Sequence, residues 1–453
     1  MDKVEKFWRE RIATRCGGEE FDKPGTGYSF GVVLEEEREL ERRGDFNVTG
    51  DPSSALLKLS VADPMWKMPE GAIERIGDYY ENCDDATRYT DNSGIRTDPD
   101  FTPLAKRRNR TNLMATHVAI ANFLNNHQPN LPFGITPEHV QYSPGSIKRL
   151  LAEFIPSALF DKDKSGYLIF PIPGYGVMKD PINIRGGIEV VNVEMKEENG
   201  SWILPIYSDT QTDIARFKKS IMYVNDPHNP TGMGHSKKQW EGIIECAKEQ
   251  EVILVVDEAY TDIRYNSDTA SVMEIPGWEE CCIILRSISK GWSATGARFG
   301  FVIAHPVVIR ALRKVMDVKD SGGFGPVIAA AQECLLHPEW AEDTRLRYQG
   351  LHKILAEGLG EVGFKDARVP DAGLCQFVKA PKSINGIKFE TLKEMVQYVR
   401  EKLRISVMHF EVGSVWYLRI AVTVGPMPDC NLSSEESIIL EAIRRLKGAK
   451  LEF

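Results

Sequence analysis

Residues 220–232 join a short apolar run to a turn, and they read Ser-Ile-Met-Tyr-Val-Asn-Asp-Pro-His-Asn-Pro-Thr-Gly. The run at 220–224 is apolar after its first residue and too short for a typical helix, which is the pattern of a strand buried on both faces. Similar short runs occur at residues 167–170, 252–256, 281–285 and 300–304. Helical patterns accompany them at residues 115–124, 237–250, 307–318 and 327–336. The alternation predicts an α/β fold in which helices cover both faces of a mostly parallel sheet, giving three α/β/α layers.

The chain has 453 residues and is therefore longer than one hydrophobic core usually supports. Its first 50 or so residues are polar, with one helical pattern rich in Glu and Arg at 32–43, and they are expected to form an N-terminal arm. The C-terminal part mixes helical segments with an alternating strand pattern at 416–422. We predict an arm at 1–55, a smaller α+β domain made of 56–85 and 335–453, and a large domain at 86–334.

Composition and charge exclude several classes of protein. The net charge of −9 argues against binding to a phosphate backbone, and we interpret the basic residues at 106–110 as a solvated helix face or a subunit contact. The amino terminus is charged where a signal peptide is apolar, and no stretch reaches the roughly 18 apolar residues of a membrane span. The eight cysteines form no CxxC pair and no zinc spacing. We expect a reduced, soluble, cytoplasmic protein with no metal and no membrane or nucleic-acid partner.

Polar residues follow four successive predicted strands. Tyr175 follows the first strand in a Pro-Gly-Tyr turn, and Asn229 begins the Asn-Pro-Thr-Gly turn after the second. Asp257 comes directly after the third run, and Lys290 follows the fourth in the tetrapeptide Ser-Ile-Ser-Lys. Because ligands of open α/β sheets bind outside the carboxyl ends of the strands, these four side chains are expected to meet at one site.

Two of these residues each have a structural and a chemical interpretation. Lys290 is either a solvated lysine in a polar loop or an amine that attacks carbonyl groups, for which it must be partly deprotonated. Asp257 follows a very apolar run, and a buried carboxylate requires a positive partner. That partner is either a side chain in an ion pair or a protonated ring nitrogen. At about 4 Å and an effective dielectric constant near 20, such a pair is worth roughly 4 kcal/mol, enough to keep a pyridine protonated at neutral pH.

Four motifs occur together in a specific order: Asn-Pro-Thr-Gly at 229–232, Asp-Glu-Ala-Tyr at 257–260, Ser-Ile-Ser-Lys at 287–290 and Gly-Ala-Arg-Phe-Gly at 296–300. Through these motifs the chain resembles the fold-type I pyridoxal-phosphate aminotransferases of the aspartate aminotransferase superfamily, over roughly residues 56 to 450. The resemblance implies the fold expected above, pyridoxal 5′-phosphate as the cofactor, and a homodimer with shared active sites.

The resemblance also implies how the cofactor ring is bound. Lys290 would form a Schiff base with the cofactor aldehyde and later move the Cα proton of the substrate. Asp257 would pair with the pyridinium nitrogen, so that the ring withdraws electrons. Asn229 and Tyr260 would hydrogen-bond the 3-oxygen of the ring, and Tyr175 would stack on its face.

A phosphate site is expected where Gly145 and Ser146 precede a helical pattern at 147–154. A Gly-containing turn at the start of a helix presents backbone N–H groups to an anion. By the resemblance, the phosphate cradle has three further members, with the arginine as its charged group: Ser287, Ser289 and Arg298.

Other residues are assigned to the substrate and to the partner subunit. Arg419 lies on an apolar strand, where it pairs with an internal acid or awaits a ligand carboxylate, and the resemblance favours a clamp on the substrate α-carboxylate, with Asn229 beside it. Trp66 lies in the loop that the family places on the substrate side. Tyr89 matches, less specifically, the tyrosine that reaches the phosphate from the neighbouring subunit. A second arginine for a dicarboxylate substrate is not assigned, the candidates being Arg96, Arg185 and Arg264.

The leading interpretation is an aminotransferase that moves an amino group between an α-amino acid and a 2-oxo acid. The alternative is a pyridoxal-phosphate enzyme that eliminates, replaces or decarboxylates, as carbon–sulfur lyases and 1-aminocyclopropane-carboxylate synthase do on the same scaffold. The Val-Ala-Asp at 61–63 resembles such lyases as much as aminotransferases. A non-catalytic regulator fused to a DNA-binding domain is disfavoured, because the N-terminal arm lacks room for one. The substrate side chain and the amino acceptor are left open.

Overall fold

The structure is a computed structural model that describes residues 5–6, 9–10, 29–82, 86–87, 89–90, 92, 115–160, 166–198, 200–204 and 220–453. Arg96 and the basic cluster at 106–110 lie outside these residues. The helices in the described part are α1 (Ser29–Glu41), α2 (Glu70–Asn82), α3 (Thr116–His127), α4 (Ser146–Arg149), α5 (Ile155–Leu159), α6 (Lys179–Arg185), α7 (Lys237–Glu249), α8 (Pro306–Lys319), α9 (Gly325–Leu336), α10 (Pro338–Val362), α11 (Leu392–Lys402) and α12 (Glu435–Gly448). A π-helical segment, Leu150–Phe154, joins α4 to α5.

The strands in the described part belong to one large sheet and several small ones. They are β1 (Leu57–Lys58), β2 (Val140–Pro144), β3 (Gly166–Ile172), β4 (Ile188–Glu194), β5 (Lys196–Glu198), β6 (Ser201–Ile203), β7 (Ile221–Asn225), β8 (Ile253–Asp257), β9 (Cys282–Ser287), β10 (Phe299–Ile303), β11 (Cys375–Lys379), β12 (Ser383–Ile384), β13 (Ile387–Lys388), β14 (Ile405–Ser406), β15 (Met408–Val412), β16 (Val415–Ala421) and β17 (Leu451–Glu452).

The large sheet has seven strands in the order β2-β10-β9-β8-β7-β3-β4. Strands β3, β4, β7, β8 and β9 run parallel to one another, whereas β10 is antiparallel to both β9 and β2. All five strands predicted from apolar runs are present, and the prediction of a mostly parallel sheet is confirmed. The run pattern did not reveal β4, because this strand lies at the sheet edge and reads Ile-Glu-Val-Val-Asn-Val-Glu. It did not reveal β2 either, since Gln141 and Ser143 interrupt that strand.

Helices cover both faces of this sheet, as the side chains of β8 demonstrate. Leu254 and Val256 pack into one apolar cluster with α3, α7 and α9, whereas Val255 packs into a second cluster with α6 and α8. All three side chains are fully buried. Burial of each is worth roughly 1.5–3 kcal/mol. A strand with both faces covered is apolar throughout, and the predicted three-layer α/β/α arrangement is confirmed.

A second apolar core lies between helices α10, α11 and α12 and a three-stranded antiparallel sheet in the order β11-β16-β15. The strand predicted at 416–422 is β16. Leu57 and Leu59 also pack in this core, and β1 pairs in parallel with β14. The smaller core therefore combines residues just after position 55 with the C-terminal part of the chain. The predicted domain boundaries themselves stay a prediction.

Helix α1 corresponds to the helix predicted at 32–43 and lies against the smaller core. Its Glu37 carboxylate accepts a hydrogen bond of 2.5 Å from the Ser60 hydroxyl, and its Glu36 pairs with Arg400. Within the part of the chain that the structure describes, no helix is both long and apolar enough to cross a bilayer.

Candidate active site

A cavity of about 270 Å³ lies at the carboxyl ends of β3, β7, β8 and β9. These four strands are neighbours in the sheet, so their ends meet at one edge, as the sequence predicts. The cavity brings together ten of the thirteen predicted site residues: Ser146, Tyr175, Asn229, Asp257, Tyr260, Ser287, Ser289, Lys290, Arg298 and Arg419.

Lys290 lies three residues after β9 and points across the cavity towards the loop that follows β1. Its Nζ donates a hydrogen bond of 2.9 Å to the carbonyl of Ala62 and lies 3.4 Å from the carboxylate of Asp63. Burial lowers the pKa of Lys290, and the nearby Asp63 carboxylate opposes this shift. The structure thus rejects the solvated-loop interpretation and presents a buried amine that deprotonates more easily than a surface lysine.

Asp257 is the last residue of β8 and is only 4% exposed. One carboxylate oxygen, Oδ1, accepts a hydrogen bond of 3.1 Å from the backbone N–H of Ala259, and Oδ2 accepts one of 2.9 Å from the hydroxyl of Tyr223. Burial raises the pKa of Asp257 to about 6. Within the described residues, no lysine, arginine or histidine nitrogen lies within 4.0 Å of this carboxylate to form the structural ion pair.

The Asn-Pro-Thr-Gly turn is held against the sheet by side chains at the ends of β7 and β8. Asn225 ends β7, and its side chain accepts a hydrogen bond of 2.8 Å from the Asn229 backbone and donates one of 2.8 Å to the Asp257 carbonyl. The turn requires glycine at Gly232, because φ is +71° and a Cβ atom would lie 2.6 Å from Pro370. The side chain of Asn225 and the glycine at position 232 therefore hold Asn229 over the edge of the sheet.

Asn229 connects two other predicted residues. Its amide nitrogen donates a hydrogen bond of 3.4 Å to the Tyr260 hydroxyl, and its amide oxygen accepts one of 3.0 Å from Arg419. Arg419 is 1% exposed, and its guanidinium also donates to the carbonyl of Ser60. Burial raises the pKa of Tyr260, so this phenol stays protonated.

A donor-rich pocket lies where β2 turns into α4. Gly145 and Ser146 both adopt positive φ, at 92° and 67°, and a Cβ atom on Gly145 would lie 3.0 Å from the side chain of Arg149. The hydroxyls of Ser287 and Ser289 are 2.6 Å apart, and the Ser287 hydroxyl is 3.1 Å from that of Ser146.

The charged group of this pocket is Arg298, which also has positive φ, at 56°. Its guanidinium donates to the carbonyls of Thr295 and Gly145, at 3.0 and 3.2 Å. The backbone N–H of Gly145 in turn donates to the carbonyl of Arg298 at 3.0 Å. Three hydroxyls, a guanidinium and the start of a helix form a donor set that suits a phosphate dianion.

Three predicted residues do not line the cavity in this chain: Gly145, which begins the donor-rich pocket beside it, and Trp66 and Tyr89. The ring of Trp66 stacks on Tyr348, with centroids 4.8 Å apart, and the Arg347 guanidinium lies 3.3 Å from the centre of that ring. Trp66 also donates to the carboxylate of Glu435. Tyr89 is 88% exposed. Trp66 is therefore anchored on α10 and α12, and the Tyr89 ring is exposed among the described residues.

Two candidates for a second arginine are occupied elsewhere. Arg264 pairs with the buried carboxylate of Asp226 at 2.9 Å, and Arg185 donates to the carbonyl of Pro156 at 3.0 Å. Neither lines the cavity described above.

Three residues at the site were not singled out from the sequence. Asp63 was noted only as part of a loop motif, although it is the acid nearest to Lys290. Asn225 was available as the polar last residue of its strand, which is the signal that identified Asp257. Tyr223 lies inside an apolar run and gave no sequence signal at all.

Comparisons with known proteins agree with this geometry. The family model for aminotransferase class I and II matches residues 81–430. LL-diaminopimelate aminotransferase from Methanocaldococcus jannaschii is 31% identical over 465 residues, covering 99% of this chain and 100% of that protein. LL-diaminopimelate aminotransferase from Halothermothrix orenii is 31% identical over 63% of this chain and 69% of that protein.

Solved structures with lower identity share the fold. A double mutant of Thermus thermophilus aspartate aminotransferase matches with a TM-score of 0.73 and 20% identity, covering 96% of this chain and 99% of that one. Substrate-bound BacF from Bacillus subtilis matches with a TM-score of 0.74 and 22% identity, covering 94% of this chain and 95% of that one.

Proposed function

The chain belongs to the class I and II aminotransferases, and from this premise we propose that LL-diaminopimelate is its amino donor. The protein is a pyridoxal-phosphate-dependent aminotransferase that moves an amino group between an α-amino acid and a 2-oxo acid. The comparisons do not favour the alternative of elimination, replacement or decarboxylation. The observation that carries the substrate proposal is the relative from Methanocaldococcus jannaschii, whose whole length aligns with 99% of this chain.

The residues present in the cavity fit pyridoxal phosphate. The buried Asp257 carboxylate, with no cationic partner in the described part of the chain, suits a protonated ring nitrogen, and the hydroxyl-rich pocket suits the phosphate. When bound, the cofactor withdraws electrons from the Cα of the attached amino acid, so that the Cα–H bond is easier to break. The protein's own part is to bind, to orient and to move protons.

We assign those tasks to residues of this chain as follows. Lys290 would hold the cofactor through its amine, and the same amine when free would carry the substrate Cα proton, since burial lowers its pKa. Asp257 would accept a hydrogen bond from the ring N–H, and Asn229 and Tyr260 would donate to the ring oxygen. Tyr175, which is half-buried and lines the cavity, would cover one face of the ring.

The phosphate is assigned to the pocket at the start of α4. The positive φ values of Gly145 and Ser146 turn the backbone there, so that the first N–H groups of the helix are available to an anion. The charge of Arg298 and the hydroxyls of Ser287 and Ser289 complete the set. Each of these donors strengthens binding of a dianion.

The two ends of the substrate are assigned to residues of opposite charge. Arg419 clamps the α-carboxylate, because its guanidinium is buried and aimed at the Asn229 side of the cavity. Asp63 lines the open side of the cavity, with its side chain 45% exposed, and accepts the distal ammonium group that LL-diaminopimelate carries. A substrate without that second ammonium group gains nothing from Asp63.

We also propose a homodimer in which Tyr89 completes the phosphate pocket of the partner. The support is its 88% exposure, together with the exposed rings of Tyr80 and Phe324, whose centroids lie 6.3 Å apart. Dimers made only of Tyr89→Ala subunits or only of Lys290→Ala subunits are expected to be inactive. In an equal mixture about half of the dimers contain one subunit of each kind, and each of these has one complete site if sites are shared. About a quarter of the wild-type activity then returns. Lack of recovery in a mixed dimer contradicts the shared site. A cytoplasmic location is also proposed, since five cysteines of the described part carry free thiols: Cys281, Cys282, Cys334, Cys375 and Cys430.

The substrate experiment compares LL-diaminopimelate with aspartate, alanine and lysine. Each is added alone to the holoenzyme, and the visible absorbance of the bound cofactor is followed in a single turnover. LL-diaminopimelate is expected to remove this absorbance fastest, with the amino group recovered as a new amino acid after a 2-oxo acid is added. Preference for another donor, or release of a fragment without transfer of the amino group, overturns the proposal.

Asp63→Asn separates the two ends of the substrate. Because a hydrogen bond between charged groups is worth about 1.5–3 kcal/mol, the variant loses about 10- to 100-fold in kcat/KM for LL-diaminopimelate. The value for alanine, which has no second ammonium group, serves as the control and changes less than about threefold. Equal losses for both donors assign Asp63 to Lys290 instead of to the substrate.

A further inference from the structure

The contact between Tyr223 and Asp257 is formed by two neighbouring strands in the centre of the sheet. Tyr223 pairs with Val255 in the register of β7 and β8, and its hydroxyl donates to Oδ2 of Asp257 at 2.9 Å. The two residues are 2% and 4% exposed. The tyrosine ring stacks on Phe170 of β3, with centroids 5.6 Å apart and an interplanar angle of 4°. The phenol is therefore fixed by packed strands of the central sheet and not by a loop.

The Asp257 carboxylate has few other ways to be stabilised. In the described chain it accepts two hydrogen bonds, from Tyr223 on Oδ2 and from the Ala259 backbone on Oδ1. Two oxygens offer about four acceptor positions, so a further donor from a ligand has room. The charged form of a buried acid depends on each such donor, because nothing else replaces the water that it has lost.

We propose that Tyr223 is a positioning residue for the aminotransferase reaction, which fixes Oδ2 of Asp257 and keeps that carboxylate ionised opposite the cofactor ring nitrogen. The inference rests on the proposed role of Asp257. Tyr223 does not line the active-site cavity, so it acts through the acid. Removal of the Tyr223 hydroxyl destabilises the ionised form of Asp257 more than its protonated form. The proton shared by Asp257 and the ring nitrogen then shifts towards the carboxylate. A ring without that proton withdraws electrons less strongly.

Tyr223→Phe removes the hydroxyl and leaves the ring that stacks on Phe170. The holoenzyme is prepared with pyridoxal phosphate labelled with ¹⁵N in the ring, and the nitrogen chemical shift reports its protonation. Since a hydrogen bond to a charged group is lost, the ratio of protonated to unprotonated ring nitrogen is expected to fall about tenfold or more. kcat falls by a similar factor, whereas KM for the amino donor stays within about twofold, because the substrate contacts are intact.

Tyr142→Phe is the matched control. Tyr142 is fully buried on β2, and its hydroxyl accepts a hydrogen bond of 2.9 Å from the Gly323 backbone, away from Asp257. It measures the general effect of deleting a buried phenol, and it is expected to leave the ¹⁵N shift unchanged. If both variants change the shift equally, or if Tyr223→Phe leaves it as in the wild type, the inference is overturned.

A second replacement keeps the test decisive if Tyr223→Phe does not fold. Incorporation of 3-fluorotyrosine at position 223 retains the shape and makes the hydroxyl a stronger donor, so the proton is expected to move towards the ring nitrogen. A shift in the other direction contradicts the inference. Asp257→Asn distinguishes a failure of the Asp257 assignment from a failure of the Tyr223 assignment. If neither Asp257→Asn nor Tyr223→Phe changes the ring protonation, the assignment of Asp257 fails. If Asp257→Asn changes it and Tyr223→Phe does not, only the role of Tyr223 fails.

Discussion

Asp257→Asn replaces a carboxylate by a neutral amide of nearly the same shape, so it removes only the negative charge that we assign opposite the ring nitrogen. The hydrogen bonds from Tyr223 and Ala259 both end on oxygens of this side chain, at 2.9 and 3.1 Å, and an amide oxygen retains one of them. The fold should therefore tolerate the change. What is lost is the negative charge itself.

The magnitude follows from the burial of this acid. Raising its pKa from 3.8 to about 6 means that the protein destabilises the bare charge by about 3 kcal/mol. A protonated ring nitrogen at about 4 Å returns roughly 4 kcal/mol at an effective dielectric constant near 20. Removal of the charge therefore lowers the pKa of the ring nitrogen by about three units. We expect kcat to fall by about 100- to 1,000-fold in Asp257→Asn.

The assay is a single turnover of the holoenzyme with LL-diaminopimelate, followed by the visible absorbance of the cofactor. Asp262→Asn is the control, because burial raises the pKa of Asp262 to about 6 as well, yet this residue does not line the active-site cavity. The control should stay within about threefold of the wild type. A loss of less than about fivefold in Asp257→Asn, or an equal loss in Asp262→Asn, refutes the reasoning.

Three further predictions test other parts of the site. Arg419→Lys loses the planar fork for a carboxylate, so KM for the amino donor should rise about 10- to 100-fold while the cofactor absorbance stays; an unchanged KM contradicts the clamp. Arg298→Ala should weaken binding of pyridoxal phosphate to the apoenzyme about tenfold but leave binding of unphosphorylated pyridoxal unchanged; equal losses contradict the phosphate assignment. In the apoenzyme, the raised pKa of Asp257 contributes stability below the pKa of the unfolded state, and this contribution is lost as pH rises through about 6. The free energy of unfolding of the wild type, relative to that of Asp257→Asn, should therefore fall by about 1.4 kcal/mol from about pH 5 to about pH 8. A constant difference contradicts the raised pKa.

The central sheet and most of the cavity were predictable because both depend on local sequence. A strand covered on both faces must be apolar throughout, so β7, β8 and β9 appeared as short continuous runs. The polar residue at the end of such a run lies at the edge where ligands bind, which is how Asp257 was found. Lys290 followed from the same rule. The order of four motifs then gave the family, and the family gave the cofactor.

The rest was not predictable because it depends on pairing between distant segments. Tyr223 reaches Asp257 only because β7 and β8 pair in a register that places Asn225 beside Asp257. Asp63 meets Lys290 through a contact between residues 227 apart in the chain. The antiparallel direction of β10 has no signature in its composition, since a buried strand is apolar in either direction. Trp66 was predicted at the substrate side from its loop, but its stacking on Tyr348 of α10 is a tertiary contact.

The role of Lys290 is tested most directly by locating the residue to which the cofactor is covalently attached. The holoenzyme is treated with borohydride, which fixes the bond between pyridoxal phosphate and the protein, and its peptides are analysed by mass spectrometry. We expect the pyridoxyl group on Lys290 and no such label in Lys290→Ala. Stable attachment to a different lysine of the wild-type protein would contradict the assignment of this amine, and with it the site built around the four strand ends.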